Sequence, residues 1–172
     1  MASGNSLITL LPLDNVPPAT LYATLDTMVG TSTPVEAIPV LDFDDTAAEY
    51  ADFYCFMPRN YNGGGVTISF VWSAAAATNT AVLRAAFRAV PDDTEDLDTT
   101  AHTYDYNTSG ALTPPSVVGE VAVDTLTFTD GADMDSVAAG SYFVLRVGRL
   151  PTDGNDTLAG DLSIHAIEIM ET

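Results

Sequence analysis

Seven residues, Val66 to Trp72, alternate without a break: Val66, Ile68, Phe70 and Trp72 on one face, Thr67, Ser69 and Val71 on the other. A period of two over that length specifies a half-buried β-strand, because successive side chains on extended backbone point to opposite sides. The large residues share one face and include the only tryptophan of the chain, so the strand is expected at the centre of a sheet, its inner side building the core. A proline-led turn and three glycines, Pro58 to Gly65, precede it and offer backbone angles closed to other residues.

Other segments carry the same period. Ala48–Met57 leads into the Pro58 turn as a strand. Ala81–Val90 places Leu83, Ala85, Phe87 and Ala89 on one face against Arg84 and Arg88, although a helix would also bring those two arginines together. Glu120–Thr129 is expected as a strand with Asp124 outward and Leu126 and Phe128 inward, and Tyr142–Leu150 sets Phe143, Leu145 and Val147 against Arg146. Leu162–Met170 alternates imperfectly, with apolar residues on both faces, which suits a central strand or one buried against a partner. Ile38–Phe43 contains Pro39 and reads as an edge strand, and Thr99–Tyr106 as a further short one.

Eight or so strands, frequent turn signals and no convincing long helix predict an all-β fold, an antiparallel two-sheet β-sandwich of jelly-roll type. Residues 35–172 would form the sandwich. Residues 1–34 would supply an N-terminal strand or arm, followed by a threonine-rich segment wrapping the surface.

Charge narrows the partners. The chain carries 24 acids, eighteen of them aspartate, against five bases, all arginine, for a net charge of −19. Lysine is absent where roughly ten would be ordinary. Such a surface stays hydrated and screened in concentrated salt and points to a hypersaline source, an ordinary acidic protein being the alternative. Binding of nucleic acid through a basic patch is excluded. The 24 uncharged residues between Arg59 and Arg84 alternate and hold three asparagines and three glycines, so membrane insertion is not expected. The amino terminus lacks the basic start of a secretory signal.

The residues give no catalytic constellation, and the chain is expected not to be an enzyme. Cys55 is alone in an apolar strand and reads as a core thiol. His102 and His165 lack the spacing of a zinc site, and no serine sits in a nucleophile elbow. Asp130, Asp133 and Asp135, and Asp153 and Asp156, gather around glycines as calcium loops do. They complete no loop pattern, so Asp-Gly turns are the simpler reading. No cofactor is expected, with a structural Ca2+ or Mg2+ at those five aspartates as the alternative. Tyr50, Phe53, Tyr54, Phe56 and Tyr61 crowd one stretch, serving either packing or a sugar site.

The blocks Val40–Asp44, Met57–Ile68, Phe128–Gly140 and Asp156–Leu162, with the terminal Ile167–Thr172, resemble a family of small structural proteins of tailed viruses from marine and hypersaline waters. The resemblance covers most of the chain from about residue 38. It implies a non-enzymatic component of the virion surface, a capsid decoration, turret or tail part, attached to other virion proteins such as the major capsid protein. A carbohydrate- or host-receptor-binding module on the same particle is the alternative.

A homo-oligomer is expected, a trimer first and a pentamer second. Leu7, Ile8, Leu10 and Leu11 are too apolar to float free, and strict alternation turns Ile167 and Ile169 away from Leu162 and Ile164. A monomer would leave one set facing water. These six residues, Leu7, Ile8, Leu10, Leu11, Ile167 and Ile169, are the expected interface.

Overall fold

In the computed structural model, which describes residues 4–172, ten strands follow one another: β1 (Ser6–Leu10), β2 (Thr24–Val29), β3 (Ala37–Phe43), β4 (Tyr50–Phe56), β5 (Val66–Ala74), β6 (Leu83–Ala89), β7 (Asn107–Thr108), β8 (Ala122–Phe128), β9 (Tyr142–Arg149) and β10 (Leu162–Glu171). One antiparallel sheet has the order β2-β3-β10-β5-β8, with β1 also on β10, and the other the order β4-β9-β6-β7. The fold is the expected jelly-roll-like β-sandwich. Among the described residues no helix is long and apolar enough to cross a membrane.

The inward sets of the two sheets form one core. Ile68, Phe70, Trp72, Phe87, Leu126, Phe128, Phe143 and Leu145, the residues their alternation singles out, are all buried in it. Each fully enclosed phenylalanine, such as Phe43, Phe70 or Phe143, contributes about 1.5–3 kcal/mol by leaving water. The Pro58 turn is organised around the buried ring of Tyr61, whose hydroxyl accepts the Gly65 N–H at 3.0 Å and donates to Asp130 at 3.0 Å. Gly65 has φ +91°, and a Cβ there would stand 2.4 Å from the Phe128 carbonyl oxygen, so only glycine fits.

Five expectations are corrected. Leu162, Ile164, Ile167 and Ile169 all face the core, because the pairing of β10 with β5 slips between Ile164 and Ala166. A bulge at His165 inserts one extra residue and resets the alternation, turning the second half of the strand inward. Leu10, Ile167 and Ile169 are therefore buried within a single chain, Leu7 and Ile8 pack partly against the same core, and only Leu11 is half exposed. The burial argument for an oligomer, and the six-residue interface with it, falls away.

The N-terminal segment belongs to the sheet. β1 runs antiparallel along β10, Leu10 opposite Ile167 and Ser6 opposite Met170. The expected surface-wrapping segment contains β2, which pairs with β3 from Ala37 to Asp42, although its threonines and its exposure give it a loop-like composition. Residues 1–3, ahead of β1, lie outside the described residues. The division at residue 34 thus cuts the β2–β3 hairpin.

β3 is not an edge strand along its whole length. Leu41, Asp42 and Phe43 pair with β10 on one side while β2 occupies the other. Pro39 lies beyond the β10 pairing, where its missing N–H leaves no ladder broken on that side. Thr99–Tyr106 forms no strand; it runs as an irregular segment that reaches β7. Asp124, expected outward, shares the parity of Leu126 and Phe128 and stands on the same face, opposite Phe70.

Candidate functional site

The outward face of the four-stranded sheet gathers the polar and aromatic residues that alternation keeps out of the core. Register places Asp52 opposite Arg146, Tyr54 opposite Val144 and Phe56 opposite Tyr142, with Arg84, Ala86 and Arg88 following on β6. Tyr50 lies opposite Gly148, where a Cβ would meet the Glu49 carbonyl oxygen at 2.6 Å and the Tyr50 ring at 2.8 Å. Glycine at that position lets the tyrosine lie flat on the sheet.

One end of this face is covered. Tyr104 and Tyr106, from the segment before β7, lie over it, Tyr106 stacking on Tyr50 with ring centres 6.0 Å apart. The Arg84 guanidinium lies against both rings, 4.9 Å from Tyr50 and 4.6 Å from Tyr106, and also donates to the Tyr50 hydroxyl. Arg146 lies 4.1 Å from the Tyr104 ring and forks onto Asp52 at 2.7 and 2.6 Å. Burial pushes the Tyr106 phenol up to about 12.

The other end is open. Phe56 is 68% exposed and Tyr54 48% exposed, and Tyr142 leans against both, at 5.0 Å from Phe56 and 6.4 Å from Tyr54. Phe56 and Tyr142 line a groove of about 1250 Å³ between the Pro91–His102 loop and the Asp135–Ser141 loop. Arg88 pairs with Glu95 along its wall, and His102 Nε2 lies 3.0 Å from the same carboxylate. Asp135 accepts the Ala89 N–H at 2.8 Å, fixing the opposite wall to the end of β6.

The five aromatic residues crowded in sequence are thus divided. Phe53 and Tyr61 enter the core, Tyr50 is half covered, and Tyr54 and Phe56 face solvent. Tyr142, Tyr104 and Tyr106 escape a reading of local spacing, because only strand register and loop packing bring them alongside. Their one local signal is alternation: Tyr142 has the parity opposite to Phe143.

The other sequence candidates do not converge. Asp130 accepts from Tyr61, Asp133 from the backbone and hydroxyl of Thr129, and Asp153 from Asn155. Asp156 is sealed inside against Arg149, the two side chains being 1% and 0% exposed. Together with Asp135 these are the five carboxylates considered as ion ligands. Among the described residues no three His, Cys, Asp or Glu side chains gather as a metal site. Cys55 is buried, and burial pushes its thiol up to about 11, far from a thiolate nucleophile. His165 meets Ser73 at 2.8 Å on the outward face of the larger sheet, but Ser73 is itself buried and out of a substrate's reach.

A scan of protein-family models finds no match, and a search of curated proteins finds no similar sequence. Solved structures do resemble the chain. The CBM22-2 xylan-binding domain of Paenibacillus barcinonensis Xyn10C is 12% identical, with 92% of each chain covered and a TM-score of 0.51. The CBM22-1 xylan-binding domain of the same protein is 9% identical, with 99% of this chain and 96% of that one covered and a TM-score of 0.50. A CBM36 carbohydrate-binding module, solved with calcium and xylotriose, is 13% identical, with 95% and 99% covered and a TM-score of 0.48. At these identities the likeness is one of fold.

Proposed function

We propose that this chain is a non-catalytic carbohydrate-binding β-sandwich module whose ligand stacks on Tyr54, Phe56 and Tyr142. The observation that carries this reading is Phe56, a large ring 68% exposed on the outward face of a sheet, beside an open groove. Leaving such a ring in water has a cost, and sugar rings recover it, since their C–H faces pack on aromatic faces while their hydroxyls stay available. Around the rings, the carboxylates of Asp92 and Asp93 and the hydroxyls of Ser136 and Ser141 line the groove and can hydrogen-bond those hydroxyls. The fold's likeness to xylan-binding domains supports the same reading. The sequence resemblance to virion proteins supplies a setting, a particle surface on which such a module would engage glycans.

Affinity electrophoresis of the full chain through gels containing soluble xylan, mannan or mixed-linkage β-glucan tests the reading. Retardation by at least one polymer, lost in Phe56→Ala at an unchanged melting temperature, is expected. Migration unaffected by every polymer, or equal retardation of the variant, overturns it.

A further inference from the structure

We infer that the groove selects uncharged polysaccharide and rejects uronic-acid and sulfated polymers; this rests on the carbohydrate-binding reading above. The inference comes from where the cations are. The chain has five arginines and no lysine. Arg149 is sealed in the interior on Asp156, Arg146 forks onto Asp52 beneath the Tyr104 ring, and Arg84 is held against Tyr50 and Tyr106. Arg88 is tied to Glu95. Only Arg59 stands exposed, its guanidinium beside Gly140 at the groove's margin.

Against that one guanidinium the groove lining sets Asp92, Asp93 and Asp135, Glu95 being matched by Arg88. An anionic sugar seated on Phe56 would lose hydration among like charges, with Arg59 at the margin alone among the arginines to offset them. At about 0.1 M salt the repulsion reaches roughly 10 Å, and near 1 M about 3 Å, so salt removes the long-range part and leaves the contact part. A neutral sugar meets neither penalty, and carboxylates are good acceptors for its hydroxyl donors. A cationic polymer would be drawn to the whole acidic surface, without needing the rings.

The test adds alginate, a sulfated galactan and chitosan to the neutral polymers, at about 0.1 M and 1 M salt, for the wild type, Phe56→Ala and Asp92→Asn/Asp93→Asn/Asp135→Asn. Expected is Phe56-dependent retardation by a neutral polymer at both salt concentrations, and none by alginate or the galactan at either. The triple variant, stripped of those charges, should begin to be retarded by alginate or the galactan at about 0.1 M salt, whereas continued exclusion would remove the three carboxylates from the account. Retardation by chitosan that persists in Phe56→Ala and vanishes in 1 M salt fits surface attraction. Phe56-dependent binding of alginate or the galactan by the wild type, or of chitosan more tightly than any neutral polymer in 1 M salt, overturns the selectivity while leaving carbohydrate binding intact. Binding of no polymer at all overturns both.

Discussion

The Trp72 indole Nε1 donates to Asp124 Oδ2 at 2.8 Å, from the central strand β5 to the edge strand β8. Trp72 is wholly buried, whereas Asp124 is half exposed. The ring fills the core while its one polar atom reaches a carboxylate near the rim, which is how a large indole is enclosed without an orphaned donor. An aspartate on the inward face of an edge strand thereby has its reason.

Trp72→Ala should lower unfolding free energy by about 3–5 kcal/mol through the cavity it leaves. Asp124→Ala should cost less, about 1–3 kcal/mol, by stranding the indole proton, and Asp124→Asn should stay near wild type because its amide oxygen still accepts. Urea titration checks all three. An Asp124→Ala variant as stable as wild type would show that the indole proton finds water instead.

Arg149 spends its guanidinium entirely inside the protein. It donates to both Asp156 oxygens at 3.1 and 2.8 Å and to the carbonyls of Phe43, Leu158 and Gly160, while Asp156 also accepts the Val82 N–H at 2.9 Å. Asp156→Ala should cost about 3–5 kcal/mol, since it leaves a buried charge without its partner. Arg149→Met combined with Asp156→Leu should cost less than the two single changes added together. Additive costs in a double-mutant cycle would mean the two side chains do not act as a pair.

β1 covers half of one edge of β10, so removing residues 1–13 should act on stability. The expected result is a melting temperature lower by several degrees, because β10 loses its partner from Ile167 to Met170. Calorimetry with light scattering on the truncated chain measures both properties. A variant that melts like the full chain but loses mass would restore the intersubunit arm.

Burial lowers the pKa of His165 below the ordinary 6.5, partly opposed by the charge of Asp42. The unfolded chain then binds the proton more readily, so stability is complete above about pH 6.5 and declines as pH falls through the folded value. Asp42 and Glu49 shift the other way: burial raises both, so each adds stability as pH falls through its raised value in the more acidic range. The melting temperature of wild type should drop more between pH 7.5 and 5.5 than that of His165→Gln. Parallel slopes would remove His165 from the account.

A net charge of −19 with no lysine opposes the compact state in dilute buffer. The melting temperature should rise as salt increases from about 10 mM to 1 M, over which the screening length shrinks from roughly 30 Å to 3 Å. A flat profile would show that the charges are spaced too widely to matter.

Alternation alone determined the all-β class, the sandwich and the eight core residues from Ile68 to Leu145, because a period of two is a local property of extended backbone. Composition likewise excluded a basic nucleic-acid surface. What tertiary structure decided was everything that depends on register. One extra residue at His165 turned Ile167 and Ile169 inward, and nothing in the local pattern distinguishes such a bulge from a strand buried on both faces. The ring cluster was only half legible: Tyr54 and Phe56 share a parity that can leave the core, but Tyr142 joins them only through the pairing of β4 with β9, 86 residues apart at Phe56. The same holds for Asp156, which in sequence looks like part of an acidic turn and in the fold is the partner of a buried arginine. Spacing along the chain sets which way a side chain points; the long-range pairing of strands sets what it meets there.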